Sequence, residues 1–297
     1  MDTSFGAVAI REVPDAKEIK VVVIQTADVE TEEEMDQRLT TLSLHMEQKA
    51  GGVVAVDAQF TRGVTWSWKT WPPVTLLYEI AVPQRCDVEI KTGEGLITVG
   101  ALTGRVVVSS DTGGIFTSEI DGSIKARSRT GAVAITACNG PIEVSTDIGN
   151  ITVGRANGPT QLTSRGGYIE VQRANSEIVI RGNGSDAQVG FQAPMKHATD
   201  ITTSGGSIFL RIDIDVACTL DLRSSIFGKV SLRGGLPLVV TSGGVGKSSL
   251  KGTVNAGGSR IQARASGGNV SIRGMEPLAP DGKVPELKLN RESDGGA

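Results

Sequence analysis

Apolar side chains recur at every second position through most of this chain, and glycine punctuates the alternation at a fixed step. Between Thr92 and Ile180, glycines stand at 95, 104, 113, 122, 131, 140, 149, 158 and 167, nine residues apart. Apolar residues follow most of them at the second and fourth positions, as in Gly95-Leu-Ile97-Thr-Val99, Gly131-Ala-Val133-Ala-Ile135 and Gly149-Asn-Ile151-Thr-Val153. Residues two apart share one side of a strand, and glycine supplies the backbone freedom that a tight corner needs. Each nonapeptide therefore predicts a corner plus a strand of about four or five residues. One unit cannot bury its apolar side alone, so the units must stack.

Alternate units match better than successive ones. Ser110, Ser128, Thr146 and Ser164 occupy one position, whereas the intervening units place Leu102, Ile120, Cys138, Ala156 and Ala174 at theirs. Asp111, Arg129, Asp147 and Arg165 form a further row, 18 residues apart and alternating in sign. These rows predict an all-β fold: a flattened parallel β-helix of 18-residue coils with two unlike halves. Three-hexapeptide left-handed helices fit the nine-residue step poorly, and an antiparallel meander does not explain the doubled period. The general handedness of parallel crossovers adds right-handed winding.

The flanks read differently. Residues 1–82 predict a β-rich cap, with strands at Val8–Ile10, Ile19–Ile24, Val53–Gln59 and Val74–Val82. A helix is expected over 31–50: Thr31 and Glu34 form a capping box, Met35, Leu39, Leu42 and Met46 form a stripe, and Gly51-Gly52 end it. The solenoid then occupies 83–274. Its phase breaks after Ile180, predicting a longer loop or an inserted stretch within 181–203. The phrase returns at Ser204–Leu210, Gly228–Leu232 and Ser266–Ile272. Residues 275–297 read as a polar tail draped over the last coil.

Composition narrows the function classes. With 38 glycines and 39% apolar residues among 297, most of the chain is folded rather than disordered. Lys+Arg 30 against Asp+Glu 33 predicts no nucleic-acid surface and no strong attraction to anionic lipid. Cys86, Cys138 and Cys218 each sit in phase with apolar neighbours, which predicts small buried hydrophobes rather than a disulfide or zinc framework. His45 and His197 are the only histidines. No run of 18 apolar residues is present, and the opening Met1-Asp-Thr-Ser-Phe-Gly has no basic-then-apolar leader, so a cytosolic chain or a trimmed leader is expected.

Candidate chemistry is sparse. Trp66, Trp68 and Trp71 hold all the tryptophan; they either pack the cap or form an aromatic platform for a sugar or protein partner. Gly244-Val-Gly246-Lys247-Ser248 imitates a phosphate loop, but Thr241 stands where the first glycine belongs and the flanks are β repeats. Gly182-Asn-Gly184-Ser-Asp186 resembles a calcium-binding β-roll turn, yet occurs once. The outward rows Thr98, Phe116, Ala134, Thr152, Glu170 and Val107, Lys125, Glu143, Gln161, Val179 carry neither an acid cluster nor an aromatic ladder. No catalytic, cofactor or metal residues are therefore expected, and Lys125–Glu143 reads as a surface pair.

The phrases Tyr78-Glu-Ile-Ala-Val-Pro83, Asp87-Val-Glu-Ile-Lys-Thr-Gly93, Thr202-Thr-Ser-Gly-Gly-Ser-Ile208, Ser249–Gly258 and Ala265–Ile272 resemble the adhesin-like β-helix family of bacterial envelope proteins, sometimes called toast-rack domains. The resemblance covers roughly residues 5–273. It implies a right-handed parallel β-solenoid outside the cytoplasm, behind a signal peptide or membrane helix, with roles in surface adhesion or envelope-stress sensing. It supplies no site residues. The expectation is thus a non-catalytic scaffold that presents its faces to a protein or surface polysaccharide, with homo-oligomers as one form. A polysaccharide-acting enzyme and a purely structural envelope module are the alternatives.

Overall fold

The computed structural model describes residues 1–60, 74–225 and 227–275. Within them the chain is nearly all-β, with one helix, α1 (Glu32–Leu39). The first strands are β1 (Asp2–Thr3), β2 (Ala7–Glu12), β3 (Lys20–Thr26), β4 (Leu42–Lys49), β5 (Val53–Phe60) and β6 (Thr75–Val82). The repeats supply β7 (Val88–Glu94), β8 (Ile97–Val99), β9 (Leu102–Thr112), β10 (Ile115–Thr130), β11 (Val133–Cys138), β12 (Ile142–Ile148), β13 (Ile151–Ala156), β14 (Thr160–Ser164), β15 (Gly167–Ala174), β16 (Ile178–Asn183) and β17 (Ser185–Phe191). Then come β18 (Thr199–Ser204), β19 (Ile208–Asp213), β20 (Cys218–Ser225), β21 (Val230–Arg233), β22 (Leu238–Gly243), β23 (Ser249–Val254), β24 (Ser259–Ser266) and β25 (Val270–Met275).

Pairing sorts these strands into two parallel-dominated rows. The first runs β5, β1, β7, β9, the second half of β10, β12, β14, β16, β18, β24 and β20. Antiparallel β4 closes one end, and β23 followed by β22 closes the other. The second row runs β6, β2, β8, the first half of β10, β11, β13, β15, β17, β19, β25 and β21, with β3 antiparallel outside β6. Antiparallel strands thus end the first row on both sides. Strand β10 passes from one row to the other, so a single chain segment forms both sides of a coil.

Alternation explains the core. Ile97, Ile115, Val133, Ile151, Ile169 and Ala187 stack in register, each 18 residues after the last and fully buried. Opposite them stand Ile90, Val108, Ala126, Val144, Leu162 and Ile180. Both columns belong to one continuous apolar cluster. Each Ile, Val or Leu among them contributes about 1.5–3 kcal/mol on burial, which is how short strands of low individual stability hold together.

Glycine is dictated by crowding as well as conformation. A Cβ on Gly131 would collide with the carbonyl oxygen of Gly113, and Gly131 sits at φ +149. Gly140 stands equally close to the Gly122 carbonyl without needing a positive φ. These clashes recur along both glycine columns because backbone touches backbone where the coil turns.

Several expectations need correction. The helix ends at Leu39, and residues 42–49 are the strand β4 rather than the rest of a helix over 31–50. Leu42, Leu44 and Met46 also alternate at period two, and antiparallel pairing of β4 with β5 satisfies their backbone. Gly51 and Gly52, at φ +84 and +79, make the hairpin turn instead of a helix cap. Thr31 does cap the helix, accepting from the Glu34 amide at 3.2 Å. The expected break within 181–203 reduces to residues 192–198, between β17 and β18, and the pairing step grows to 21 at Ile180–Ile201. Cys138 and Cys218 are buried, but Cys86 is only partly so.

The stack departs from chain order towards both ends. At the first, β1 lies between β5 and β7, and β2 between β6 and β8. At the other, the late strands are displaced. β24 pairs with β18 on one side and β20 on the other, and β25 lies likewise between β19 and β21. After β19 the chain skips a position, builds β20 to β23 beyond it, then returns to fill the gap.

Candidate interaction surface

Each row of strands presents a ladder of outward side chains. On the first, Val107, Lys125, Glu143, Gln161 and Val179 stand side by side. Lys125 Nζ lies 2.9 Å from a Glu143 carboxylate oxygen, with both side chains well exposed, so this pair is worth about 0–1 kcal/mol. They line an open groove of about 500 Å³ whose rim includes Pro141 and Pro159. On the second, Thr98, Phe116, Ala134, Thr152, Glu170, Gln188 and Phe209 align. Gln188 donates to Glu170 at 3.0 Å, and Phe209 is exposed.

The corners carry the polar order. Ser110, Ser128, Thr146 and Ser164 point inward and are buried. Ser128 donates to the Gly113 carbonyl and Ser164 to the Gly166 carbonyl, at 3.2 and 2.9 Å, giving these turn carbonyls a side-chain partner. Asn175 donates to Asn157, Asn157 to Asn139 and Asn139 to Asp121, at 2.7, 2.7 and 3.2 Å. The signal for this amide ladder in the sequence is the 18-residue spacing of Asp121, Asn139, Asn157 and Asn175. The alternating charges resolve into two pairs: Arg129 with Asp111 at 3.9 Å, and Arg165 with Asp147 at 2.9 Å.

A denser network covers the rungs around β24. Arg260 donates to Asp221 at 2.7 Å and also to Gln262, whose own amide donates to Asp200 at 3.2 Å. Arg223 lies 3.4 Å from Asp221 and Arg181 3.0 Å from Asp200. Burial alone would raise the Asp221 carboxyl, but the Arg260 hydrogen bond and the charges of Lys251, Arg223 and Arg260 hold it below the ordinary value. Asp213 is moved the other way: burial and Asp215 raise it against Arg211 and Arg173.

The remaining candidates resolve as follows. Trp66, Trp68 and Trp71 lie outside the described residues. Residues 244–248 connect antiparallel β22 and β23, a setting unlike the strand-to-helix turn of a phosphate loop. Gly184 turns the chain between β16 and β17, and Asp186 accepts the Ser207 amide at 2.7 Å. Among the described residues, no group of three or more His, Cys, Asp or Glu is placed to hold a metal ion, and no helix is long and apolar enough to cross a membrane.

No family model and no curated protein matches the chain. A solved structure described as a "putative cell adhesion protein" from Clostridium sporogenes is similar at 11% identity, covering 92% of this chain and 93% of that one, with a TM-score of 0.20.

Proposed function

We propose that this chain is a non-catalytic interaction scaffold, a right-handed parallel β-solenoid of 18-residue coils that presents its faces to a protein or polysaccharide partner. The observation that carries the reading is the pair of outward ladders: continuous and mixed in character, Val107 to Val179 on one side and Thr98 to Phe209 on the other. Such ladders favour broad, shallow contact over capture of one small molecule. The adhesin-like role and the bacterial envelope setting rest on the family resemblance in the repeat phrases. Trp66, Trp68 and Trp71 join the proposal as a second contact for the partner.

The test is a binding screen of the purified chain against immobilised glycans and envelope proteins. Phe116→Asp, Phe209→Asp and Trp68→Ala variants are compared at equal thermal stability. Loss of capture without loss of stability supports the scaffold. Release of reducing ends or unsaturated sugars from a polysaccharide panel favours an enzyme instead. A chain that captures nothing and forms a defined oligomer by light scattering favours the structural module.

A further inference from the structure

We propose that residues 259–275 form an exchangeable rung, and that the slot they fill accepts the same rung from a second copy of this chain. The slot is a parallel gap between the β18–β19 rung and the β20–β21 rung. Its occupant presents Ile261, Ala263, Ala265, Val270 and Ile272 to the core, all buried. Among the described residues, the rung is joined to the molecule on one side only, through 255–258. That link folds back sharply, with Asn255 at φ 53, Gly257 at 73 and Gly258 at 156. Extended backbone is open to all of these residues, so the link can straighten and carry the rung outward.

Exchange costs little in contacts. The Arg260 bond to Asp221 and the Gln262 bond to Asp200 join the rung to its two neighbours. An identical rung from a second copy remakes both, along with every ladder hydrogen bond. Only the hinge differs between the closed and swapped forms, which is the usual economy of domain swapping. The closed form has a latch: the Asn255 side chain donates to the carbonyls of Ile214 and Val216, each at 2.8 Å, tying the hinge to the segment that bypasses the slot.

Ser231 and Ser271 report on the slot, because they are directly paired and their hydroxyls lie 2.9 Å apart. In a Cys86→Ser background, the full chain carrying both S231C and S271C is oxidised as the reference, and an intramolecular disulfide is expected. One copy carrying S231C is then mixed with one carrying S271C, warmed below the melting transition, cooled and oxidised. A disulfide-linked heterodimer is expected, forming several-fold faster when Asn255→Ala removes the latch. A copy carrying D111C, far from the slot, is expected to give none with either partner. Absence of the heterodimer while the reference disulfide forms overturns the proposal. So does failure of the reference disulfide, or equal linking to D111C.

Discussion

Asn157 donates its side-chain amide to the Asn139 oxygen 2.7 Å away and accepts the Asn175 amide at the same distance. It is an interior member of a ladder, so removing it breaks two bonds, whereas removing Asn175 breaks one. Each is worth about 0.5–1.5 kcal/mol net. Asn157→Ala is therefore expected to cost about 1–3 kcal/mol in urea unfolding, and Asn175→Ala about half of that, with unchanged m-values.

Two glycine substitutions separate crowding from conformation. Gly140 has a carbonyl in the way of any Cβ and no positive φ, whereas Gly235 has nothing within 4 Å. Gly140→Ala is expected to lose about 3 kcal/mol or more, visible as a collapse of the thermal transition. Gly235→Ala should stay within about 0.5 kcal/mol of the parent.

Acid titration divides two aspartates. The Asp221 carboxyl is held below its unfolded value of 3.8. Its contribution is therefore complete above that pH and is lost as pH falls through the folded value. Asp221→Asn should lower stability at pH 7, and the gap from the parent should narrow in strong acid. Asp213 is raised above 3.8, so folding binds its proton more tightly and stability falls as pH rises through that window. Asp213→Asn should raise stability at neutral pH and make no difference below the unfolded value. Urea midpoints from pH 2 to 7 read both.

Thiol chemistry offers a probe of the native state. Burial pushes the Cys218 thiol up to about 12 and raises Cys138, which is also buried, while Cys86 is partly exposed. Since the thiolate is the reactive form, an aromatic disulfide reagent at pH 8 should modify Cys86 alone in the folded chain. All three should react after denaturation. Early reaction of Cys218 would contradict the buried column.

Legibility followed the range of the physics. Alternation around Ile97, Ile115 and Val133 depends on neighbours two residues apart, so the nearly all-β, stacked arrangement could be read directly. The helix boundary could not, because Leu42 and Met46 fit both a helical stripe and a strand, and only the partner β5 decides. Ser110, Ser128, Thr146 and Ser164 form a legible row, yet the bonds of Ser128 and Ser164 go to turn carbonyls that no one-dimensional pattern displays. The place of β24 was invisible for a stronger reason: its strand resembles the others, and the order of rungs in space leaves no mark on any single rung. The outer ladders were listable, but what they bind depends on a partner that the chain does not encode.

That displaced rung also sets a timetable. Biosynthesis runs from the N-terminal side to the C-terminal side, so the elements on both sides of the gap exist before the piece that joins them. A chain still held at its growing end near residue 258 would carry two unfinished sheet edges facing one another. Maturation of the C-terminal third must therefore wait until about residue 275 has emerged.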